Sequence, residues 1–426
     1  MKKSMILAAA AAIVLSACAK IETEKFVNDN DAISFGVYVP KTITKAGAAG
    51  TITADGANST TSLQTTGFGV FATYSNGGDY AATLGPNFMY NTKVSGATWT
   101  YSPLKYWPNE TIDDNNGATG PAAADKLSFL AYAPYVGKTT DGTNAFEGST
   151  TEGITALTAN SATTDPKVTY KVSTTPDSAV DLLWAVAPAS FSYTDVHNQT
   201  VTVTEGMPLL NLTKPATSQK IRFFFKHATS RLGLKIIGAF DETAPGTNNV
   251  DDKTKVTVKQ IRIVDLPVAT TGTLNLNNTA KGAGVPNWEG ATASTTTLVI
   301  SGDNLNATIK DSGSDAIQTV EGVTNTEKNV FVDDNKFFTL IPTEDAATNV
   351  KVEITYYVTT ADPALKGGFT RVENVITKTI SFAHGFQAGK ANTIKVILGL
   401  TTVKLEATVE AWDVLAAQSV DLPINH

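Results

Sequence analysis

The stretch KVEITYYV, residues 351–358, decides the fold class of this chain. Apolar side chains stand at every second position, so Val352, Ile354, Tyr356 and Val358 share one face of an extended strand. Valine, isoleucine and tyrosine all suit a pleated, half-buried surface. The pattern predicts a β-strand that packs one face against a core.

Similar period-2 runs recur along the whole chain, separated by Gly, Asn, Asp and Pro. Clear examples cover residues 167–173, 255–266, 373–382 and 393–412. The apolar phase slips by one position within residues 255–264, which predicts a β-bulge near Lys259 and Gln260. One short helical turn is expected at residues 226–232. Because the runs alternate apolar and polar positions, antiparallel β-sandwiches are the predicted architecture.

Composition argues against several classes of function. The chain has 426 residues, 17% of them charged, and a net charge of −7, which does not suit a nucleic-acid-binding protein. Cys18 is the one cysteine, so a disulfide framework, cysteine-ligated zinc and iron–sulfur clusters are excluded. The sequence contains neither a Walker loop nor a His-Glu-x-x-His or Gly-x-Ser-x-Gly motif. We therefore expect a protein that is not an enzyme and needs no cofactor or metal.

The N-terminus has the pattern of an export signal. Two lysines precede an apolar run, residues 5–15, that is too short to span a bilayer. The run ends in Leu-Ser-Ala-Cys at residues 15–18, which resembles the lipobox of bacterial lipoproteins. In such proteins the Cys thiol is acylated, with palmitate among the acyl chains, and becomes the mature N-terminus. The alternative is an ordinary signal peptide cut near Ala17.

A short strand is predicted shortly after this signal. Residues 32–39 alternate cleanly, so that Ile33, Phe35, Val37 and Val39 lie on one face. A basic segment follows and opens into a stretch of small residues, which suits cleavage by a trypsin-like protease. If residues 33–39 were removed, an apolar groove between two unpaired strand edges would be exposed. The alternative is a first strand that stays attached.

Seven short motifs, in this order, resemble the fimbrillin family of Bacteroidales fimbriae, in its fimbrillin-like or Mfa-like branch. They are TGFGVFATY (66–74), WTYSPLKYWP (99–108), KLSFLAYAPY (126–135), VDLLWA (180–185), FKHATSRL (225–232), AGKANT (388–393) and VEAW (409–412). Each motif is weak by itself, but together they extend over nearly the whole chain.

The resemblance implies an all-β precursor with two tandem transthyretin-like antiparallel β-sandwich domains. Residues 1–17 would be the lipoprotein signal peptide and residues 18–45 a tether with a removable leader strand. The residues themselves predict a boundary at 205–220, where Pro208 and Pro215 precede the strong strand pattern of residues 220–226. Residues 46–215 would then form the N-terminal sandwich and residues 216–426 the C-terminal one with a terminal strand.

The resemblance also implies a mechanism of assembly. A trypsin-like surface protease would remove the leader after Lys45 or, as second choice, Lys41. A strand from another subunit would then fill the vacated groove, and the subunits would polymerise into a fimbrium at the cell surface. Before cleavage, the lipid on Cys18 would hold the protein in the outer membrane. Its partners would be other fimbrial subunits and a host or bacterial surface ligand, with no nucleic acid.

Two further sites are weaker hypotheses. In the C-terminal tail, Val420, Leu422 and Ile424 alternate, so the tail is either a donor strand or the last strand of the second sandwich. Asp177-Ser178-Ala179 resembles the O-glycosylation motif of Bacteroides, with Ser178 as acceptor, although a three-residue match also arises by chance.

Two other functions compete with the fimbrial one. A glycan-binding surface lipoprotein of a polysaccharide uptake system would present exposed tryptophans on one face and would keep its leader. A surface hydrolase would need clustered carboxylates in a cleft, and no spacing in the sequence selects such a pair.

Overall fold

The computed structural model describes residues 32–37, 63–108, 124–137, 146–148, 151–240, 253–291, 294–313, 321–332, 336–343, 345–399 and 403–412. Within these ranges the chain is nearly all strand, which confirms the all-β prediction. The helical elements described are α1 (Leu63–Thr66) and single 3₁₀ turns at Ala82–Leu84, Pro176–Ser178 and Gly302–Asn304.

The strands fall into two groups along the chain. Up to residue 227 they are β1 (Phe35–Val37), β2 (Phe68–Ser75), β3 (Met89–Val94), β4 (Lys126–Ala133), β5 (Gly153–Leu157), β6 (Lys167–Lys171), β7 (Leu183–Val186), β8 (Phe191–Thr194), β9 (Thr200–Val203), β10 (Leu209–Leu212) and β11 (Ile221–His227). The later ones are β12 (Ser230–Gly238), β13 (Thr254–Val268), β14 (Thr271–Asn275), β15 (Asn287–Glu289), β16 (Ser294–Ser301), β17 (Lys328–Asn329), β18 (Phe338–Leu340), β19 (Ala347–Ala361), β20 (Phe369–Phe382), β21 (Lys390–Leu398) and β22 (Val403–Ala411).

The strands of the described residues form several sheets. The largest has the order β1-β11-β7-β4-β2-β3, with β10 also paired to β4. A second sheet runs β17-β12-β21-β22 with β18 on β12, and a third runs β16-β13-β19-β20. A fourth runs β15-β14-β6-β5, and β8 and β9 form a hairpin.

Two of the ladders are parallel, where the sequence predicts antiparallel pairing. β1 runs parallel to β11, and β12 runs parallel to β21 over eight residue pairs from Arg231↔Ala391 to Gly238↔Leu398. Parallel neighbours need long connections. Their pairing therefore depends on contacts between distant parts of the chain, which alternation within one strand cannot indicate.

The middle of the largest sheet is buried on both faces, although an alternating pattern predicts one polar face. Along β4 every residue after Lys126 is buried. Its odd-numbered side chains, such as Phe129, lie in one core with Phe35 and Phe223, whereas Tyr132 and Trp184 lie in a second core. The second core continues into β12, β13 and β19. We call the first the leader core and the second the main core.

The local predictions have mixed outcomes. The register of β13 against β19 shifts between Val258 and Gln260, which confirms the predicted bulge. On β19, Val352, Ile354 and Tyr356 are buried as predicted, and Val358 is half-buried. The helical turn expected at residues 226–232 is wrong, because β11 continues to His227 and β12 begins at Ser230.

The domain boundary at residue 215 stays a prediction. Strand β11, which follows it, lies in the largest sheet between β1 and β7. The fourth sheet likewise joins β6, before the boundary, to β14, after it. Strands on the two sides of residue 215 therefore share sheets.

Candidate functional site

The leader strand β1 lies at the edge of the largest sheet. It runs parallel to β11, with Phe35, Gly36 and Val37 opposite Ile221, Arg222 and Phe223 in turn. The amide of Ile221 donates a hydrogen bond to the carbonyl oxygen of Ser34 at 2.8 Å. Three residue pairs make a short ladder, so backbone pairing alone holds this strand weakly.

The other side of β1 is closed by the segment 101–106, which is not a strand. The amide of Ile33 donates to the carbonyl of Lys105 at 2.9 Å, and Ala32 and Tyr106 form an antiparallel bridge. The hydroxyl of Tyr101 donates to the carbonyl of Ile33 at 2.7 Å. Burial raises the pKa of Tyr101, so this hydroxyl remains a neutral donor at physiological pH.

The side chains of the leader strand that face inward fill the leader core. Ile33 and Phe35 are each only 1% exposed, and Val37 packs against the same core. The Phe35 ring stacks on Phe223 at 5.9 Å between centroids and meets Phe129 edge-on at 6.0 Å. Ile33 and Phe35 point inward because strand alternation places them on one face.

The described geometry modifies the predicted leader strand in two respects. The strand covers Phe35–Val37 rather than residues 32–39, since the pairing before it is a single bridge. Its removal would free one strand edge, that of β11, and the backbone of residues 105–106, rather than two strand edges. Val39, together with Cys18, Lys41 and Lys45, lies outside the described residues.

The outer face of this site carries two cationic side chains around a glycine. A Cβ atom on Gly36 would lie 3.6 Å from Cγ of Arg222 and 3.7 Å from Cδ of Lys220. These are ordinary contact distances, so Gly36 leaves room here without being required by its backbone geometry. The aliphatic stems of Lys220 and Arg222 thus cover the leader where its backbone faces outward.

The last described residue of the chain is anchored near the far end of β11. Trp412 stacks on the His227 ring with 4.1 Å between centroids and meets Phe337 edge-on at 5.6 Å. His227 Nδ1 also lies 2.8 Å from a carboxylate oxygen of Asp181, which is buried. The tail residues Val420, Leu422 and Ile424 lie beyond this anchor, outside the described residues.

Ser178 lies in the 3₁₀ turn Pro176–Ser178 and is half-buried. Its hydroxyl is 3.3 Å from that of Thr175, and Asp177 pairs with Lys336 at 3.0 Å. A protein-bound glycan on Ser178 stays a prediction.

The tryptophans pack inside the protein. Trp184 is fully buried, Trp107 and Trp412 are 8% and 6% exposed, and Trp99 and Trp288 are half-buried. The indole N–H of Trp288 donates to the carbonyl of Ala228 at 2.9 Å. A flat tryptophan platform for sugars is therefore not formed by these side chains.

The described residues contain neither a cluster of metal ligands nor a helix suited to a membrane. Within those ranges no three His, Cys, Asp or Glu side chains converge as a metal-ion site. None of the helices that the structure describes has the length and apolar character needed to cross a membrane.

Sequence reasoning missed the residues that complete the leader site. Tyr101 and Lys105 lie in the motif WTYSPLKYWP, but nothing in its spacing indicates contact with residue 33. The alternation in β11, IRFFFKH, indicates a strand but does not identify its neighbour. Both contacts join distant segments, so a comparison with a solved relative is the signal that could have found them.

Comparisons with known proteins agree with the resemblance described above. No family model matches the chain. Over 180 residues, 41% of this chain and 40% of the relative, the sequence is 30% identical to the fimbrium subunit Fim1C of Phocaeicola vulgatus. The chain thus spans less than half the length of that curated relative.

A solved structure shares the fold. The crystal structure of a fimbrial protein from Bacteroides vulgatus covers 90% of this chain and 100% of its own, with a TM-score of 0.56 and 20% identity. The resemblance to Bacteroidales fimbrial proteins predicted from the motifs is confirmed. Both relatives are named as fimbrial proteins.

Proposed function

We propose that this protein is a structural subunit of a cell-surface fimbrium and supports adhesion of the cell that carries it. The observation that carries the proposal is a short edge strand: Phe35–Val37 occupies an apolar groove but forms one parallel ladder of three residue pairs. The similarity to two fimbrial proteins supports the same role.

The groove has the chemistry for exchange of one strand for another. Burial of Ile33 and Phe35 contributes about 1.5–3 kcal/mol for each side chain before ordering costs. Once the leader leaves, the edge of β11 has unpaired N–H and C=O groups beside apolar pockets, and such edges bind added strands. A donor strand with the same alternation would regain that energy, so the contact between subunits would be long-lived.

Processing prepares the groove in this proposal. Acylation of Cys18 tethers the exported precursor to the outer membrane, since several acyl chains anchor a protein stably. A trypsin-like protease then cuts after Lys45 or Lys41, and the leader segment dissociates. The tail with Val420, Leu422 and Ile424 supplies the donor strand for the next subunit.

Protease treatment of the exported precursor tests this function. After cleavage, SDS gel electrophoresis without boiling is expected to show a ladder of polymers, and N-terminal sequencing is expected to start at Ala46. A matched sample with Lys41 and Lys45 both changed to Gln should give no ladder under the same conditions.

A stable monomer that keeps residues 32–37 after full protease treatment would exclude assembly by strand exchange. If that monomer also bound a purified glycan, the alternative of a glycan-binding surface lipoprotein would replace the fimbrial function.

A further inference from the structure

The outer face of the leader groove has a distinct charge. Lys220 immediately precedes β11 and Arg222 is its second residue, and the stems of both side chains lie beside Gly36 on the outward face. The leader presents Gly36 there, 3.6 Å from Cγ of Arg222 at the position of a Cβ atom. Gly36 itself adds no side chain beside these two stems.

We infer that Lys220 and Arg222 select an incoming strand that carries an acidic side chain between two apolar ones. This inference rests on the proposed function, because it concerns the strand that replaces the leader. The occupant is the C-terminal segment 419–424 of a second copy of this chain, in which Asp421 lies between Val420 and Leu422. Its carboxylate and the two cations, Lys220 and Arg222, are complementary in charge.

The proline at position 423 restricts the register of this segment. In the parallel ladder, the pairing of Phe35 with Ile221 requires the amide of residue 36 to face β11. Proline has no N–H to donate, so any parallel register that keeps Val420 and Leu422 inward loses one ladder hydrogen bond at Pro423. The register that puts Val420 in the Phe35 pocket loses it at the end of the ladder rather than at the Gly36 position, and places Asp421 opposite Arg222.

The charge contact does not depend on strand direction. Whether the donor runs parallel or antiparallel to β11, alternation sends Val420 and Leu422 inward and Asp421 outward. Lys220 and Arg222 are half-buried, so the contact remains close to solvent. Partly exposed pairs of this kind change affinity modestly and association rate more strongly, and both effects weaken with salt.

The experiment uses the full chain after leader cleavage and protease inhibition, at a concentration where self-assembly is slow. Fluorescent peptides of residues 414–426 are added in excess, either unchanged or with Asp421→Lys. Labelling is read as fluorescent protein bands in unboiled SDS gels over time.

Three acceptor proteins are compared. One is the unchanged chain, and the second is the double variant Lys220→Glu with Arg222→Glu. The third is a control with the same change in charge, Lys171→Glu with Lys404→Glu. Both control lysines are exposed, on β6 and β22.

We expect the peptide that labels faster to differ between the acceptors. The unchanged peptide should label the unchanged and control acceptors about fivefold or more faster than the Asp421→Lys peptide, and 0.5 M NaCl should shrink that ratio. The double variant at residues 220 and 222 should prefer the Asp421→Lys peptide.

Equal labelling by both peptides would overturn the inference and leave strand exchange intact. Failure of every peptide to label would also overturn it, and the ladder assay then decides separately whether strand exchange itself occurs. Because the peptide substitution leaves the protein unchanged, misfolding of a variant cannot explain either result.

Discussion

At the scale of single residues, Phe35 provides the aromatic contacts that dock the leader strand. Its ring is 1% exposed and contacts the rings of Phe223, Phe129 and Tyr101. The inward direction of Phe35 follows from alternation and was predictable from the sequence. Its ring partners were not, since they come from segments far along the chain that only the tertiary fold brings together.

Truncation of Phe35 to Ala is expected to loosen the leader in the precursor. Loss of a buried Phe ring typically costs about 3–5 kcal/mol, so the leader should open about a hundredfold or more often. The amide of Ile221, bonded to the carbonyl of Ser34, reports that opening. Hydrogen–deuterium exchange at this amide measures it, with Val372→Ala, at a side chain 56% exposed, as control.

Unchanged exchange at Ile221 in the Phe35→Ala precursor would contradict this prediction. It would mean that the backbone bonds of residues 33–37, rather than ring burial, hold the leader in its groove.

At the scale of elements, the parallel pair β12–β21 contains a repulsive contact that a third segment neutralises. Lys235 and Lys395 are direct partners in the register, so two cations stand side by side. Glu327 binds both, with Nζ–Oε distances of 2.7 Å to Lys235 and 3.2 Å to Lys395. Neither the parallel pairing nor the bridging carboxylate could be predicted from alternation, whereas the bulge at Val258 could, because it is local.

Glu327→Gln is expected to lower stability in a pH-dependent way. Burial alone would raise the pKa of Glu327, but hydrogen bonds and charge from Lys235 and Lys395 outweigh it and leave the pKa below 4.5. A depressed pKa contributes stability above the unfolded-state value, and that contribution is lost as pH falls through the folded-state pKa. The substitution should therefore cost about 1 kcal/mol at pH 7 and almost nothing at strongly acidic pH.

Urea unfolding at pH 7 and in acid measures this difference. Glu410→Gln, which removes the same charge from an exposed position on β22, serves as control and should change stability by less than about 0.5 kcal/mol. A loss for Glu327→Gln that stays constant down to acidic pH would show that packing, rather than the carboxylate charge, is responsible.

At the scale of the whole molecule, two cores meet across one sheet. The largest sheet has Phe129 on the side of the leader core and Trp184 on the side of the main core. Alternation predicted strands but not this double burial, because a mainly apolar run such as residues 127–133 indicates only that both faces are covered and not which segments cover them. The leader core thus lies on a sheet whose central strands are covered on the other face by the main core, so the sheet is expected to keep its shape if the leader is removed as proposed.

Deletion of residues 413–426 separates folding from assembly. Trp412 remains and keeps its stack on His227, so the shortened precursor is expected to melt within a few degrees of the full chain. After protease cleavage it should have an open groove but no donor strand, and unboiled SDS gels should show monomer instead of a ladder. When the shortened chain is mixed with cleaved full-length chain, its groove should accept a donor strand. It offers no donor strand to a further subunit, so each polymer should end there and the polymers should become shorter.

A full ladder from the shortened chain alone would place the donor strand elsewhere in the sequence. A large drop in melting temperature would show that the tail is instead part of the second sandwich.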